Sequence, residues 1–156
     1  MKSNAILSED RKYRYVLSRI WDDDKPKVLF LCLNPSTADE NTDDRTVTRC
    51  INFAKTWGYG GLLIGNLFAL RSTDSSKLYS EEDPVGPEND QYLQELAKQA
   101  SLIIAAWGDN GSYMGRSTKV KAMFSNKGLK CFKINLSKEP KHPLYVSGDA
   151  TLIDFV

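Results

Sequence analysis

The sequence predicts an α/β fold: a three-layer α/β/α sandwich with a mainly parallel central sheet of about four strands and an N-terminal edge strand. Three observations predict it. Four short apolar runs, at 27–33, 61–67, 101–107 and 130–136, have almost no polar alternation in their centres, as strands buried on both faces do. The segments between them carry the i, i+3, i+4 spacing of one buried helical stripe. Residues that start and stop helices stand where those stripes begin and end.

In chain order, Tyr13, Tyr15, Leu17 and Arg19 alternate with Arg14, Val16 and Ser18, the period of a strand that ends at Trp21 before a turn over 22–26. This is the expected edge strand. After the run 27–33, Asp43 or Asp44 caps a helix with the stripe Val47, Cys50, Ile51 and Ala54, and Gly58 stands just past its end. The run 61–67 leads into 71–87, rich in Ser, Asp, Glu and Pro and expected to be a long surface loop. Pro87 and Glu88 open the second helix, with Leu93, Leu96, Ala97 and Ala100 as its stripe. The third carries Val120, Met123 and Phe124 and ends before Gly128. Strands so separated pair in parallel through right-handed crossovers. With 156 residues, 41% of them hydrophobic, one core and one domain over 1–156 are expected.

Composition excludes several classes of function. Lys and Arg number 21 against 20 acids, so no broad field draws in nucleic acid or an anionic membrane. The longest nearly apolar runs are too short to span a bilayer, and the N-terminus has no apolar stretch behind its lysine. Membrane insertion and secretion are therefore not expected. Cys32, Cys50 and Cys131 form an odd set without a close pair, which fits reduced cysteine in a cytoplasmic setting and supplies no all-cysteine metal site.

Sheets of this kind bind ligands beyond the carboxyl ends of their strands, near the point where strand order reverses. The residues following the four runs are therefore the site candidates: Asn34, Pro35 and Ser36; Asn66, Phe68 and Arg71; Trp107, Gly108 and Asp109; and His142, Leu144 and Tyr145. His142 is the only histidine, and from the bare sequence a loop role before Pro143 is as open as a functional one. Asn34 before Pro35 also suits a turn. A buried Asn66 must find partners for two donors and an acceptor, in a neighbouring loop or in a ligand. Trp107 and Gly108 also suit core and turn. Asp39, Glu40, Asp43 and Asp44 either hold a hard cation or serve the helix that follows, the second being the stronger reading. No glycine-rich phosphate loop, nucleophile elbow or paired-histidine zinc motif is present, so neither a metal nor a cofactor is expected.

Taken in order, RYRYVLSRIW, LFLCLNPSTADENTDDRT, WGYGGLLIGNLFALRST, VGPEND, AAWG and HPLY resemble the DUF1643 family along nearly the whole chain. More distantly, Asn34 with Pro35, Asn66, Trp107 with Gly108, and His142 with Pro143 resemble, in order, the strand-end motifs of the uracil-DNA glycosylase superfamily. That resemblance implies hydrolysis of a base–sugar N-glycosidic bond, with Asn34 and His142 as the catalytic pair. Asn34 would orient the attacking water and His142 would donate to the departing base, where negative charge develops. The resemblance further implies that Asn66 reads the base edge, that Phe68 or Trp107 walls the base, and that Leu144 or Tyr145 fills the gap left by an extruded base. The ligand would be a nucleobase, nucleotide or nucleic acid, with Arg71, Arg116, Lys138 and Lys141 as a local set of phosphate contacts. Two other readings stand beside it: a non-catalytic base- or nucleotide-binding module, and a magnesium-dependent nucleotide or phosphoryl enzyme using Asp39, Asp43 and Asp44.

Overall fold

The run expected at 27–33 is strand β3 (Lys27–Cys32) of a computed structural model that describes residues 1–155. Its side chains alternate between two apolar clusters, as a strand covered on both faces requires. Val28 and Phe30 enter one cluster, with Val47, Cys50, Phe53 and Ala54 of helix α1 (Arg45–Thr56). Leu29 and Leu31 enter the other, with Leu93, Leu96 and Ala97 of α2 (Asn89–Gln99) and Val120 of α3 (Arg116–Met123). The three helical stripes read from the sequence are thereby explained by what they bury.

Strand β3 pairs in parallel with β4 (Gly61–Asn66) on one side and β5 (Leu102–Ala105) on the other, and β5 pairs in parallel with β6 (Lys130–Cys131). Beyond these lie β1 (Lys2–Leu7), β2 (Arg14–Ile20) and β7 (Ile153–Asp154), all antiparallel to their neighbours. The protein is thus α/β with a mixed seven-stranded sheet in the order β1-β2-β4-β3-β5-β6-β7. Gly65 shows how closely a helix lies on it: a Cβ there would stand 2.7 Å from Leu93 Cδ2, so the missing side chain admits α2.

Three expectations need correction. The strand read as an edge is interior, because β1 pairs along its outer side; Tyr15, Leu17, Arg14 and Arg19 are accordingly all buried. The run 130–136 keeps only Lys130 and Cys131 in the sheet. It then turns back on itself, with the Asn135 N–H donating to Glu139 O and the Lys138 N–H to Asn135 O, which leaves Leu136 fully exposed. The loop 71–87 contains a 3-10 turn, Ser75–Tyr79, that buries Leu78, and its far end returns to accept the Ala69 N–H at Val85 O. Among the described residues no helix is long and apolar enough to cross a membrane.

Helix α1 begins where the sequence places it. The Asp44 carboxylate accepts the Val47 N–H at 2.9 Å and also takes the Ala38 N–H at 3.4 Å. Asp44→Ala removes a side-chain cap and is expected to cost about 1 kcal/mol, read as a lower urea midpoint at unchanged slope.

Candidate functional site

From β3 the chain passes through α1 to β4, and from β4 it returns through α2 to β5 on the far side of β3. Strand order reverses there, and polar residues follow the carboxyl ends of the strands. Asn34, Asn66 and His142 line one recess of about 40 Å³, together with Arg14, Pro35 and Asp44. A wider cleft of about 500 Å³ shares Asn34, Ser36, Thr46 and His142 with it and extends to Trp107, Asp109 and Leu144. The recess has room for water but not for a whole nucleobase ring.

His142 precedes the 3-10 turn Pro143–Tyr145, and its Nδ1 accepts the Leu144 N–H at 3.1 Å. A nitrogen that accepts carries no proton, so the neutral ring holds its proton on Nε2 and presents a donor there. Burial, opposed by the charge of Asp44, pushes the imidazole pKa down and favours the neutral ring at pH 7. The turn itself is tied to α1. Arg49 donates through Nε to Pro143 O at 3.3 Å and through Nη2 to Val146 O, with its guanidinium 5.3 Å from the Phe53 ring centre.

The amide of Asn34 is held by its nitrogen. Nδ2 donates to Pro35 O at 3.1 Å, Ser72 O at 3.2 Å and Leu70 O at 3.3 Å, so the group is rigid and Oδ1 remains as an acceptor. Asn66, the last residue of β4, is 2% exposed. Its Oδ1 accepts from Arg14 Nη2 at 3.5 Å, while its backbone carbonyl accepts Asn89 Nδ2 at 2.9 Å. Asn89 also donates to Leu67 O at 3.2 Å and so pins the chain where it leaves the sheet.

The other candidates divide. Pro35 and Ser36 line the recess, Leu144 lines the cleft, and Tyr145 stands at its rim with 75% of its surface exposed. Asp109 sits on the same rim. Its Oδ1 accepts from Ser137 Oγ at 2.5 Å and Asn135 Nδ2 at 2.9 Å, and these bonds lower its pKa. Gly108 takes φ +79°, a conformation glycine favours, and its N–H donates to Pro140 O at 2.8 Å. Trp107 borders the cleft but is 1% exposed, and its indole N–H goes to buried Glu139 at 3.2 Å. Gly111 lies against it so closely that a Cβ would meet the indole at 2.0 Å.

Phe68 and Arg71 line neither space. Phe68 is fully buried in the apolar cluster near Tyr113, because the chain turns inward after Asn66. Arg71 reaches away, donating through Nη1 to Arg11 O at 3.4 Å. Arg116 is likewise no surface cation: it is 3% exposed, donates to Leu67 O at 2.9 Å and pairs with Asp90 at 2.7 Å. Lys138 is exposed and Lys141 partly so.

The acidic residues are committed separately. Asp39 Oδ1 accepts the N–H groups of Asn41 and Thr42 and the Thr42 hydroxyl, and the first of these bonds does most to lower its pKa. Glu40 pairs with Arg11 at 2.8 Å, Asp43 with Arg19 Nε at 2.8 Å, and Asp44 caps α1. Among the described residues no three His, Cys, Asp or Glu side chains form a metal-binding group. EDTA is expected to leave the melting temperature unchanged; a fall reversed by magnesium would contradict that.

Arginines 14, 19 and 49 are the residues that reading for strand ends misses. Arg19, 1% exposed, donates to the carbonyls of Ser18, Asp39 and Thr42 as well as to Asp43, and so organises the loop before α1. The one signal for Arg14 and Arg19 is their place in a strand with Tyr15, Val16, Leu17 and Ile20. No match was found among curated proteins or solved structures. The family model described as "Protein of unknown function (DUF1643)" matches residues 14–144 of the 156, from buried Arg14 to the Leu144 that fixes the His142 ring, and the chain belongs to that family.

Proposed function

We propose that this protein is a uracil-DNA glycosylase-like hydrolase, with a three-layer α/β/α arrangement, that cleaves a base–sugar N-glycosidic bond in a nucleobase-containing substrate. A cytoplasmic setting suits its three free, buried cysteines. The observation that carries the reading is His142, a neutral imidazole whose Nε2–H is left as a donor beside a recess that also contains Asn34 and Asn66.

Each group has a role that its bonding allows. A base enters the cleft with one edge toward the recess. Asn34 Oδ1, its amide locked through Nδ2, accepts a hydrogen bond from water and directs the water oxygen at the anomeric carbon. As the C–O bond forms, the C–N bond breaks and its electron pair leaves with the base. His142 Nε2–H stabilises the charge gathering on a base oxygen, and the water proton passes to solvent or to the departing base. Among the described residues the carboxylates at 39–44 serve capping and ion-pair roles, which favours this reading over the magnesium one.

Single-turnover incubation with uracil- and hypoxanthine-containing DNA, and with the free nucleosides, tests this directly. Release of free base supports the proposal. Binding without release points to a base- or nucleotide-binding module. With DNA as substrate, binding is expected to weaken steeply with salt through Lys138 and Lys141. Affinity indifferent to salt and to charge reversal at both lysines would point to a small-molecule ligand.

A further inference from the structure

Arg14 opens strand β2 and lines the recess, yet it is 3% exposed. Nη1 donates to Ala38 O at 3.0 Å and Nη2 to Asn66 Oδ1 at 3.5 Å, while Nε has no partner among the described residues. Burial lowers its pKa to about 10, partly offset by the Asp44 carboxylate, so it remains a cation at neutral pH. A guanidinium has donors only, whereas a side-chain amide is an acceptor on one side and a donor on the other. The contact to Asn66 is long for a hydrogen bond. Orientation of a dipole by a buried cation does not need a short contact, because the field is weakly screened there. Turning the Asn66 amide over would place its NH₂ hydrogens against the cation. Its oxygen therefore stays toward Arg14, and Nδ2, which has no partner among the described residues, is left as a donor.

We propose that Arg14 is a positioning residue that fixes the polarity of Asn66, so that the recess accepts a carbonyl edge of a base and rejects an amino group there. The proposal rests on the base-binding reading of the cleft. His142 Nε2–H adds a donor of the same sense. An amino group would meet donors at each of these places and lose its own hydrogen bonds on leaving water.

The test uses free uracil and free cytosine as probes, with binding read by calorimetry and by the ring signals of His142, the only histidine in the chain. The unmodified protein is expected to favour uracil by on the order of tenfold or more. Arg14→Lys, still a donor only, keeps that ratio. Arg14→Gln, which presents either a donor or an acceptor, lets the Asn66 amide turn and brings the ratio toward one. Both affinities come from the same variant, so a partly unfolded fraction cancels. Independently of any base, the Asn66 amide should give one pair of resonances in the unmodified and Arg14→Lys proteins, and exchange-broadened or doubled ones in Arg14→Gln. An unchanged ratio in Arg14→Gln, a preference for cytosine in the unmodified protein, or binding of neither base overturns the proposal. If base release fails while the Arg14-dependent ratio holds, hydrolysis falls and Arg14 keeps its role. Base release with a ratio indifferent to Arg14→Gln does the opposite.

Discussion

His142→Ala is expected to lower the single-turnover rate of base release by roughly 10²- to 10³-fold, the loss that follows removal of one preorganised donor at developing charge. The size follows from the preparation of the ring. Leu144 N–H holds Nδ1, Arg49 holds the turn that carries Leu144, and burial keeps the imidazole neutral, so the Nε2–H is in place before substrate arrives. Free base should still bind, and the melting temperature should move little. A normal rate per folded molecule, with only a shifted melting temperature, would reduce His142 to a capping residue of the Pro143–Tyr145 turn.

Trp107→Ala is expected to act on stability, with a loss of about 3–5 kcal/mol in urea unfolding. Trp107 is 1% exposed, packs edge-on against Phe155 at 5.7 Å between ring centres, and lies over Gly111. The truncation opens a cavity and also strips buried Glu139 of its indole donor at 3.2 Å. If the indole served mainly as a stacking wall for a base, the outcome would be different: stability within about 1 kcal/mol of the parent, with base affinity lost.

How far the sequence carried differs between fold and site. Buried parallel strands announce themselves because both faces are apolar, so β3, β4 and β5 stood out, and the helices between them showed one stripe each. The sequence KSNAIL of β1 presents no apolar face of its own. It joins the sheet through backbone pairing with β2, which leaves no periodic trace, and this is why β2 read as an edge. The two residues each of β6 and β7 are too short to carry a period. Strand-end reasoning brought Asn34, Asn66 and His142 to one recess, since carboxyl ends of parallel strands share an edge. It placed Phe68 and Arg71 there too, because position along the chain does not tell which way a side chain leaves the strand end. The buried arginines lay beyond such reasoning. Arg14, Arg19 and Arg116 are held by carbonyls and acids 24 or more residues away in several cases, pairings that no local pattern encodes.

The chain's single histidine makes one spectroscopic measurement decisive for the cleft: a ¹⁵N-resolved pH titration of the His142 ring, repeated with uracil added. Burial holds the folded pKa below the unfolded value of about 6.5. The unfolded chain therefore binds the extra proton first, and this contribution to stability is present above about pH 6.5 and lost as pH falls through that window. The expected spectrum shows an unprotonated Nδ1 and a protonated Nε2 at pH 7, an inflection below 6.5, and a shifted Nε2–H signal when uracil binds. An Nδ1-protonated ring, an inflection at or above 6.5, or a signal untouched by bound uracil would contradict the assignment of this cleft as the site of base recognition.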